Sequence, residues 1–78
     1  MKIFNIKYSG GEWTMSVESE GGILFHGRGS SVEIMVQSVR DACRDKLSNG
    51  IANLNLMESA RKEFEGISPD DIKKASGL

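Results

Sequence analysis

An excess of one charge, a cysteine pair and long apolar runs are all missing from this sequence, and each absence excludes a class of protein. Ten Lys and Arg residues nearly balance eleven Asp and Glu residues, so the large basic excess behind non-specific binding to DNA or RNA is absent. The single cysteine, Cys43, cannot form an internal disulfide, which favours a reducing compartment over secretion. No run approaches the roughly eighteen apolar residues of a membrane span, and no apolar signal-peptide core is visible. We therefore expect a cytoplasmic protein without a membrane partner.

Chemically reactive side chains are scarce as well, which limits catalysis and metal binding. Cys43 and His26 are the one cysteine and the one histidine of the chain, and the patterns described below place them on opposite sides of a sheet. A thiol–imidazole pair needs hydrogen-bond reach, and one His with one Cys matches no metal-ligand spacing. A chain of 78 residues also has little room for an enclosed pocket. We therefore expect no enzymatic activity, no catalytic residues, no metal and no cofactor.

The clearest pattern that the sequence does contain is the two-residue alternation of β-strands. Residues 12–19 alternate polar with apolar side chains up to Glu18, which is typical of a strand with one buried and one solvated face. Comparable runs cover residues 2–8 and 23–28. Glycine pairs at residues 10–11 and 21–22 separate the three runs and suit tight hairpin turns. The pattern therefore predicts a three-stranded antiparallel meander.

An amphipathic helix follows the third strand. Ser30 and Glu33 have the spacing of a capping box, in which each side chain bonds the backbone amide of the other residue. From Val32 to Leu47, apolar residues recur at the 3.6-residue helical period and form one stripe. The pattern predicts a main helix over residues 31–48, with its stripe packed on the sheet.

Residues 51–57 leave two interpretations open. Leu54 and Leu56 alternate with asparagines, as in a short fourth strand. Alternatively, Asn55 caps a second helix that runs from about residue 56 to residue 65. We favour the helix, because asparagine is depleted inside strands.

Ser68 and Pro69 indicate the start of a last short helix, which we expect to end near Ser76, because serine caps helices well and proline suits their first position. The fold class is α+β: a three-stranded antiparallel β-meander packed against one long amphipathic helix, followed by one or two short C-terminal helices. This makes one domain over residues 1–78, with the meander in 1–28, the main helix in 31–48 and the short helices in 55–78.

The same periodicities assign side chains to a core. Inward positions of the strands should face the apolar stripe of the main helix, and the second helix should add Phe64. The predicted core consists of Phe4, Ile6, Trp13, Met15, Val17, Ile23, Phe25, Val32, Met35, Val36, Val39, Cys43, Leu47 and Phe64.

The opposite face of the sheet is the first candidate binding surface. We expect it to present Ile3, Asn5 and Leu24 together with polar side chains, and no second layer is predicted to cover it. Arg40 and Arg44, one turn apart on the main helix, form a second candidate surface for an acidic partner or a phosphate backbone. The candidate partner-binding residues are Lys7, Thr14, Ser16, Glu18, His26, Arg28, Arg40 and Arg44.

Two features bear on nucleic-acid binding. RNA-binding sheets stack bases on exposed aromatic rings, whereas Phe4, Tyr8, Trp13 and Phe25 all have inward positions in the predicted strands. The alternation therefore argues against base stacking. Residues 27–31 combine two glycines, an arginine and a helix start, which suits an anion, but they lack the lysine and spacing of a Walker A loop. We interpret this segment as a strand-to-helix turn.

The order of three strands and a helix, with hairpin turns at residues 10–11 and 21–22, resembles the N-terminal part of HicB-type antitoxins. In layout it is also similar to small phage-encoded inhibitors such as some anti-CRISPR proteins. The resemblance carries no functional residue to this chain. Small size, scarce catalytic groups and balanced charge favour a small non-enzymatic interaction protein that binds and modulates or inhibits a larger protein or nucleoprotein complex, as a phage-type accessory protein or anti-CRISPR-like inhibitor would. The alternative is a nucleic-acid-binding accessory protein or antitoxin-like regulator, and either could form a homodimer through an edge strand.

Overall fold

A computed structural model describes residues 1–49 and 54–77 and shows one three-stranded antiparallel sheet with helices packed on one of its faces. The strand order is β1-β2-β3, and the helices follow the strands along the chain. This confirms the predicted α+β architecture. The elements are β1 (Lys2–Ser9), β2 (Glu12–Glu18), β3 (Leu24–Gly29), α1 (Val32–Asn49), α2 (Leu54–Glu65) and α3 (Pro69–Ser76).

The ambiguous segment is resolved in part. Residues 51–53 lie outside the described residues, but α2 begins by Leu54. A fourth strand reaching residue 57 is therefore wrong, and Asn55 lies inside the helix rather than capping it. None of the helices in the described ranges combines the length and apolarity needed to cross a membrane.

The β1–β2 turn forms as the glycine pair predicts. Ser9 pairs with Glu12 across the two strands, which leaves a loop of the two glycines between them. Gly10 has φ 59° and Gly11 has φ 79°. Two successive positive φ values are typical of the two-residue hairpin turn whose twist matches that of the flanking strands. Glycine occupies both positions because it adopts this backbone conformation without steric cost.

A bulge in β1 was not predicted. Phe4 and Lys7 pair with the residues on either side of Met15 in β2. Two residues of β1, Asn5 and Ile6, therefore face the single residue Met15, which is the two-against-one count of a β-bulge. Asn5 has φ 56°, a left-handed conformation that asparagine tolerates better than most residues with a side chain.

The bulge reverses the side-chain alternation in the first part of β1. Ile3 pairs with Val17 and Phe4 with Ser16, so Ile3 shares the helix-covered face with Val17 while Phe4 lies on the opposite face. The predicted inward position of Phe4 and outward position of Ile3 are therefore wrong. Beyond the bulge the predicted phase returns, and Ile6 packs against the core as expected.

The core lies between the sheet and the three helices. Most of the predicted core residues are buried in it, and Ile6, Trp13 and Ile23 are partly buried against it. The side chain of Leu47 lies outside the described residues. The buried residues are Met15, Val17, Phe25, Val32, Met35, Val36, Val39, Cys43, Met57, Ala60, Phe64, Ile67 and Ile72.

Helix α1 is capped one residue later than predicted. The hydroxyl oxygen of Ser31 accepts a hydrogen bond from the amide of Ile34 at 3.1 Å, and the Ser31 carbonyl accepts from the amide of Met35. The capping residue is therefore Ser31, not Ser30. In α3, Ser68 caps as expected, accepting from the amide of Asp71 at 3.4 Å.

Two glycines let α1 approach β3 closely. A Cβ atom on Gly27 would lie 2.7 Å from a methyl group of Val39 and 2.8 Å from the carbonyl oxygen of Met35. A Cβ atom on Gly29 would lie 2.7 Å from the Met35 amide nitrogen. Since real Cβ atoms do not approach other atoms this closely, the absence of a side chain at both positions sets the distance between helix and strand.

Both edges of the sheet carry features that disfavour pairing with another chain. At the β3 edge, the amide of Arg28 donates to the hydroxyl of Ser38 on α1 at 2.9 Å, so this backbone group is already bonded. At the β1 edge, the bulge at Asn5 interrupts the regular pattern of backbone groups, and Lys2 and Lys7 add positive charge. Bulges and edge lysines are known devices against edge pairing. A homodimer formed through an edge strand remains a prediction.

Candidate binding surface

The outer sheet face is the face of the sheet opposite the helices, and the strand register arranges its side chains in rows across three strands. In one row, Phe4, Ser16 and His26 lie side by side, and in the next row Lys7, Thr14 and Arg28 do so. A third row contains Lys2, Glu18 and Leu24. Neighbouring rows are about 7 Å apart, because they are separated by two residues of a strand.

A shallow depression of about 320 Å³ lies on this face. It follows the row of Lys7, Thr14 and Arg28 and reaches Ser16 and His26. Five of the eight residues proposed from sequence therefore line one depression, since every second position of adjacent strands points to the same side. Its full lining is Asn5, Lys7, Glu12, Thr14, Met15, Ser16, His26, Gly27 and Arg28.

The depression contains a hydrogen-bonded pair of a hydroxyl and an imidazole. Ser16 Oγ and His26 Nδ1 are hydrogen-bonded at 3.1 Å, and the tautomer of the imidazole decides which of the two donates. Ser16 is 5% exposed, whereas His26 is exposed to solvent. The bond fixes the orientation of the imidazole, so that its other ring nitrogen remains for a bound molecule.

Arginine and glutamate close one end of the depression. Arg28 Nη2 lies 3.0 Å from a carboxylate oxygen of Glu12, with side chains that are 75% and 40% exposed. An exposed ion pair of this kind contributes at most about 1 kcal/mol. Arg28 can therefore exchange Glu12 for an anionic group of a partner at little cost.

Phe4 borders the depression and gives the outer sheet face an aromatic ring. The Lys2 ammonium lies 5.4 Å from the centre of this ring, within the range of a cation–π contact. Phe4 is partly buried, so part of its ring remains accessible. The sequence pattern missed this residue because the bulge at Asn5 changes the face on which Phe4 lies, while the apolar–polar pattern of the sequence continues without a break.

Glu18 and the two helical arginines lie outside the depression. Glu18 is on the same face, in the row of Lys2 and Leu24. Arg44 is exposed on α1, with its guanidinium 3.6 Å from Asp41. The structure therefore does not bring Arg40 and Arg44 together with the other proposed residues.

Arg40 has a structural role that the sequence did not reveal. Its Nε atom donates to the carbonyl oxygen of Phe64 at 3.1 Å, and its Nη2 atom donates to the carbonyls of Glu65 and Ile67 at 3.3 and 3.1 Å. These carbonyls belong to the end of α2 and the residues after it, where helical backbone acceptors lose their partners. The Arg40 guanidinium therefore links α1 to the end of α2, and these hydrogen bonds use its donors.

The segment from Gly27 to Ser31 serves packing. Its two glycines lie against α1, where a methyl group would collide with the helix, and the Arg28 side chain points to the outer sheet face. Ser31 caps the helix through its own hydroxyl. The interpretation of the whole segment as a strand-to-helix turn is wrong, because Gly27 and Gly29 belong to β3 and only Ser30 and Ser31 form the turn.

Cys43 and His26 lie on different sides of the sheet. The Cys43 thiol is in the core and lies 3.8 Å from the carbonyl oxygen of Met57. Burial raises the pKa of this thiol, which keeps it in the protonated, weakly nucleophilic form. Among the described residues, no group of three or more His, Cys, Asp or Glu side chains could hold a metal ion.

Comparisons with known proteins do not assign this chain to a family. No protein-family model matches the chain, and searches of curated proteins and of solved structures find no significant similarity.

Proposed function

We propose that this protein is a small binding protein without catalytic activity of its own, which binds a larger protein or nucleoprotein complex through its outer sheet face and modulates or inhibits it. The observation that carries the proposal is the one-sided packing of the sheet. The helices described cover one face and contribute to one core, while the other face holds the depression and most of the polar side chains proposed from sequence.

The composition of the outer sheet face supports a macromolecular partner. It combines hydroxyl groups, three cations, two carboxylates and the exposed side chain of Leu24, and such mixtures are typical of non-obligate interfaces. The depression is shallow and open, so it suits a protruding group of a partner better than an enclosed small substrate.

The position of the one thiol argues against thiol–imidazole catalysis. The thiol of Cys43 is buried away from the depression, while His26 lies within it beside Ser16. A nucleophile that works through a base needs that base within reach and usually a third group to orient it. A cytoplasmic, phage-type accessory protein remains our proposal for its setting, resting on its small size and its free buried cysteine.

Site-specific photo-crosslinking tests the proposal. A photo-reactive residue at Glu18, on the outer sheet face, should crosslink a partner in the native host, whereas the same residue at Lys62, exposed on α2, should not. The double variant Lys7→Glu/Arg28→Glu should reduce partner capture about tenfold or more, because reversed charges at an interface repel the partner. Crosslinks that form from Lys62 and not from Glu18 would place the interface on the helices and refute the proposal.

A further inference from the structure

The bulge at Asn5 creates a feature that strand alternation alone would not produce. It turns Phe4 to the outer sheet face, in one row with Ser16 and His26. Tyr8, Trp13 and Phe25 stay on the helix-covered side, as the alternation predicts, but Phe4 does not. An accessible aromatic ring on an open sheet is a surface on which a nucleic-acid base can stack, because every base has an aromatic face.

The row beside Phe4 provides the groups that a phosphate backbone requires. Lys7 and Arg28 lie at its two ends with the Thr14 hydroxyl between them, and the depression runs along this row. Ammonium, guanidinium and hydroxyl groups are the usual protein donors to phosphate oxygens. Lys2, whose ammonium lies over the Phe4 ring at 5.4 Å from its centre, adds a third cation, which a stacked base would displace from the ring toward the phosphates.

We propose that the outer sheet face binds single-stranded nucleic acid, with one base stacked on Phe4 and adjacent backbone phosphates held by Lys7 and Arg28. This inference rests on the proposed function in one respect, namely that the outer sheet face is the binding surface. It adds the chemical class of the bound molecule. The nucleic acid is then either the whole partner or the exposed strand of a nucleoprotein complex.

A single strand fits this surface better than a duplex. Stacking on Phe4 requires an unpaired base, and the outer sheet face is a shallow surface on three short strands rather than a helix or ribbon that projects into a groove. The protein as a whole has a formal net charge of −1, so binding depends on the local cations. With three phosphate contacts at most, the logarithm of the binding constant should fall with that of salt concentration with a slope of about −2.

The Glu12 carboxylate is the group that limits this binding. It lies 3.0 Å from Arg28 and lines the same depression, so it occupies the guanidinium and repels a phosphate. Glu12→Gln should therefore strengthen binding about three- to tenfold, since it frees one cation and removes one negative charge. A gain of affinity is informative because unfolding of the variant cannot produce it.

Fluorescence anisotropy with labelled oligonucleotides tests the proposal. The probes are a short single-stranded RNA, the corresponding single-stranded DNA and the DNA duplex, each at about 50 mM salt, where phosphate contacts are strong. Phe4→Leu should weaken single-strand binding about tenfold, because it removes the stacking surface. The matched control is Tyr8→Leu, which removes an exposed aromatic ring from the same strand but from the helix-side face.

Charge reversal provides the second arm. Lys7→Glu should weaken binding about tenfold or more, whereas Lys62→Glu, which changes the net charge equally on the helical side, should have less than a threefold effect. Thermal melts of each variant establish that it is folded. Preference for the single strand over the duplex, together with both of these contrasts, is the expected result.

Three outcomes would overturn the inference: no binding of any probe by the wild-type protein, equal binding of duplex and single strand, or equal loss with Phe4→Leu and Tyr8→Leu. The proposed function is judged separately. If nucleic acid fails to bind but Glu18 still crosslinks a protein partner, the surface is a protein-binding face and only the nucleic-acid inference is refuted.

Discussion

The two faces of the sheet differ in how tightly they constrain side-chain size. On the helix-covered face, Val17 and Phe25 are at most 3% exposed, and a single methyl group on Gly27 would collide with α1. On the outer sheet face, by contrast, His26 and Arg28 of the same strand as Phe25 are exposed. Stability therefore depends mainly on one face, while the other is free to be shaped for binding.

Two phenylalanines give the largest test of this difference. Phe64 is fully buried and packs edge-on against Phe25 with ring centres 5.3 Å apart. Phe64→Ala should cost about 3–5 kcal/mol of unfolding free energy, out of about 4–12 kcal/mol expected for a domain of this size. Phe4→Ala, on the outer sheet face, should cost about 1 kcal/mol, because its ring is already partly exposed. Urea denaturation measures both, and equal costs would mean that the outer sheet face is covered in solution.

Adjacent positions of β3 give the next test. Gly27→Ala should destabilise the protein by about 1–3 kcal/mol, because the new methyl group must displace Val39 or the backbone of Met35. His26→Ala, one residue away on the outer sheet face, should cost no more than about 1 kcal/mol, because water can replace the imidazole as the partner of the Ser16 hydroxyl. Chemical denaturation of the two variants side by side is the measurement. Tolerance of Gly27→Ala would show that α1 can move away from β3.

Local chemistry in the sequence predicts much of the fold because the decisive interactions are short-range. The glycine pair at residues 10–11 determines the first hairpin, and Ser68 caps α3 as expected. Faces are predicted correctly wherever the alternation is unbroken, which is why β2 is correct throughout. The shift of the α1 cap from Ser30 to Ser31 shows the limit, since either serine could have capped the helix and the close contact of Gly29 with α1 favours the later start.

The parts that could not be predicted depend on contacts between distant segments. Arg40 bonds carbonyls more than twenty residues away, and no local pattern identifies such a partner. Ile67 and Ile72 are buried although few apolar residues mark their segment, because the core formed by the sheet and the other helices reaches them. The alternation correctly placed polar residues such as Thr14, Ser16 and His26 on one face of the sheet, but it misplaced Phe4. The bulge at Asn5 leaves no break in the apolar–polar alternation of the sequence.

Substitutions of Asn5 can change the face of the sheet on which Phe4 lies. Its φ of 56° is costly for a β-branched residue, so Asn5→Val should destabilise the bulge by about 1–2 kcal/mol. Asn5→Gly, which tolerates this φ, should stay within about 0.5 kcal/mol of the wild type. If the strand relieves the strain by losing its bulge, Phe4 will turn toward the helices.

Proton contacts between the side chains of Phe4 and Ser16, which are paired across β1 and β2, report this change directly in nuclear Overhauser measurements. They should be present in the wild type and in Asn5→Gly, and weakened in Asn5→Val. Strong contacts in Asn5→Val with unchanged stability would mean that the bulge does not depend on the residue at this position.

The smallest effect concerns charge on the helical side. Glu33 on α1 and Lys73 on α3 form an ion pair, and the Lys73 ammonium lowers the pKa of the Glu33 carboxyl, while Glu33 raises the pKa of Lys73. A carboxyl pKa that is lower in the folded state stabilises the fold at any pH above the pKa of the unfolded chain, which is about 4.3 for Glu. This contribution is lost as the pH falls through the pKa of the folded state. Glu33→Gln should therefore melt slightly below the wild type at neutral pH, and the two should converge toward about pH 3.

Glu65→Gln on α2 is the matched control, since it removes one exposed carboxylate without touching the pair. Both partners of the pair are exposed and exposed pairs contribute little, so the difference should also shrink in high salt, where screening acts on surface charges. A difference in melting temperature that persists unchanged to about pH 3 would contradict the pairing. Glu33 would then stabilise the fold through packing rather than through its charge, as the core residues beneath α1 do.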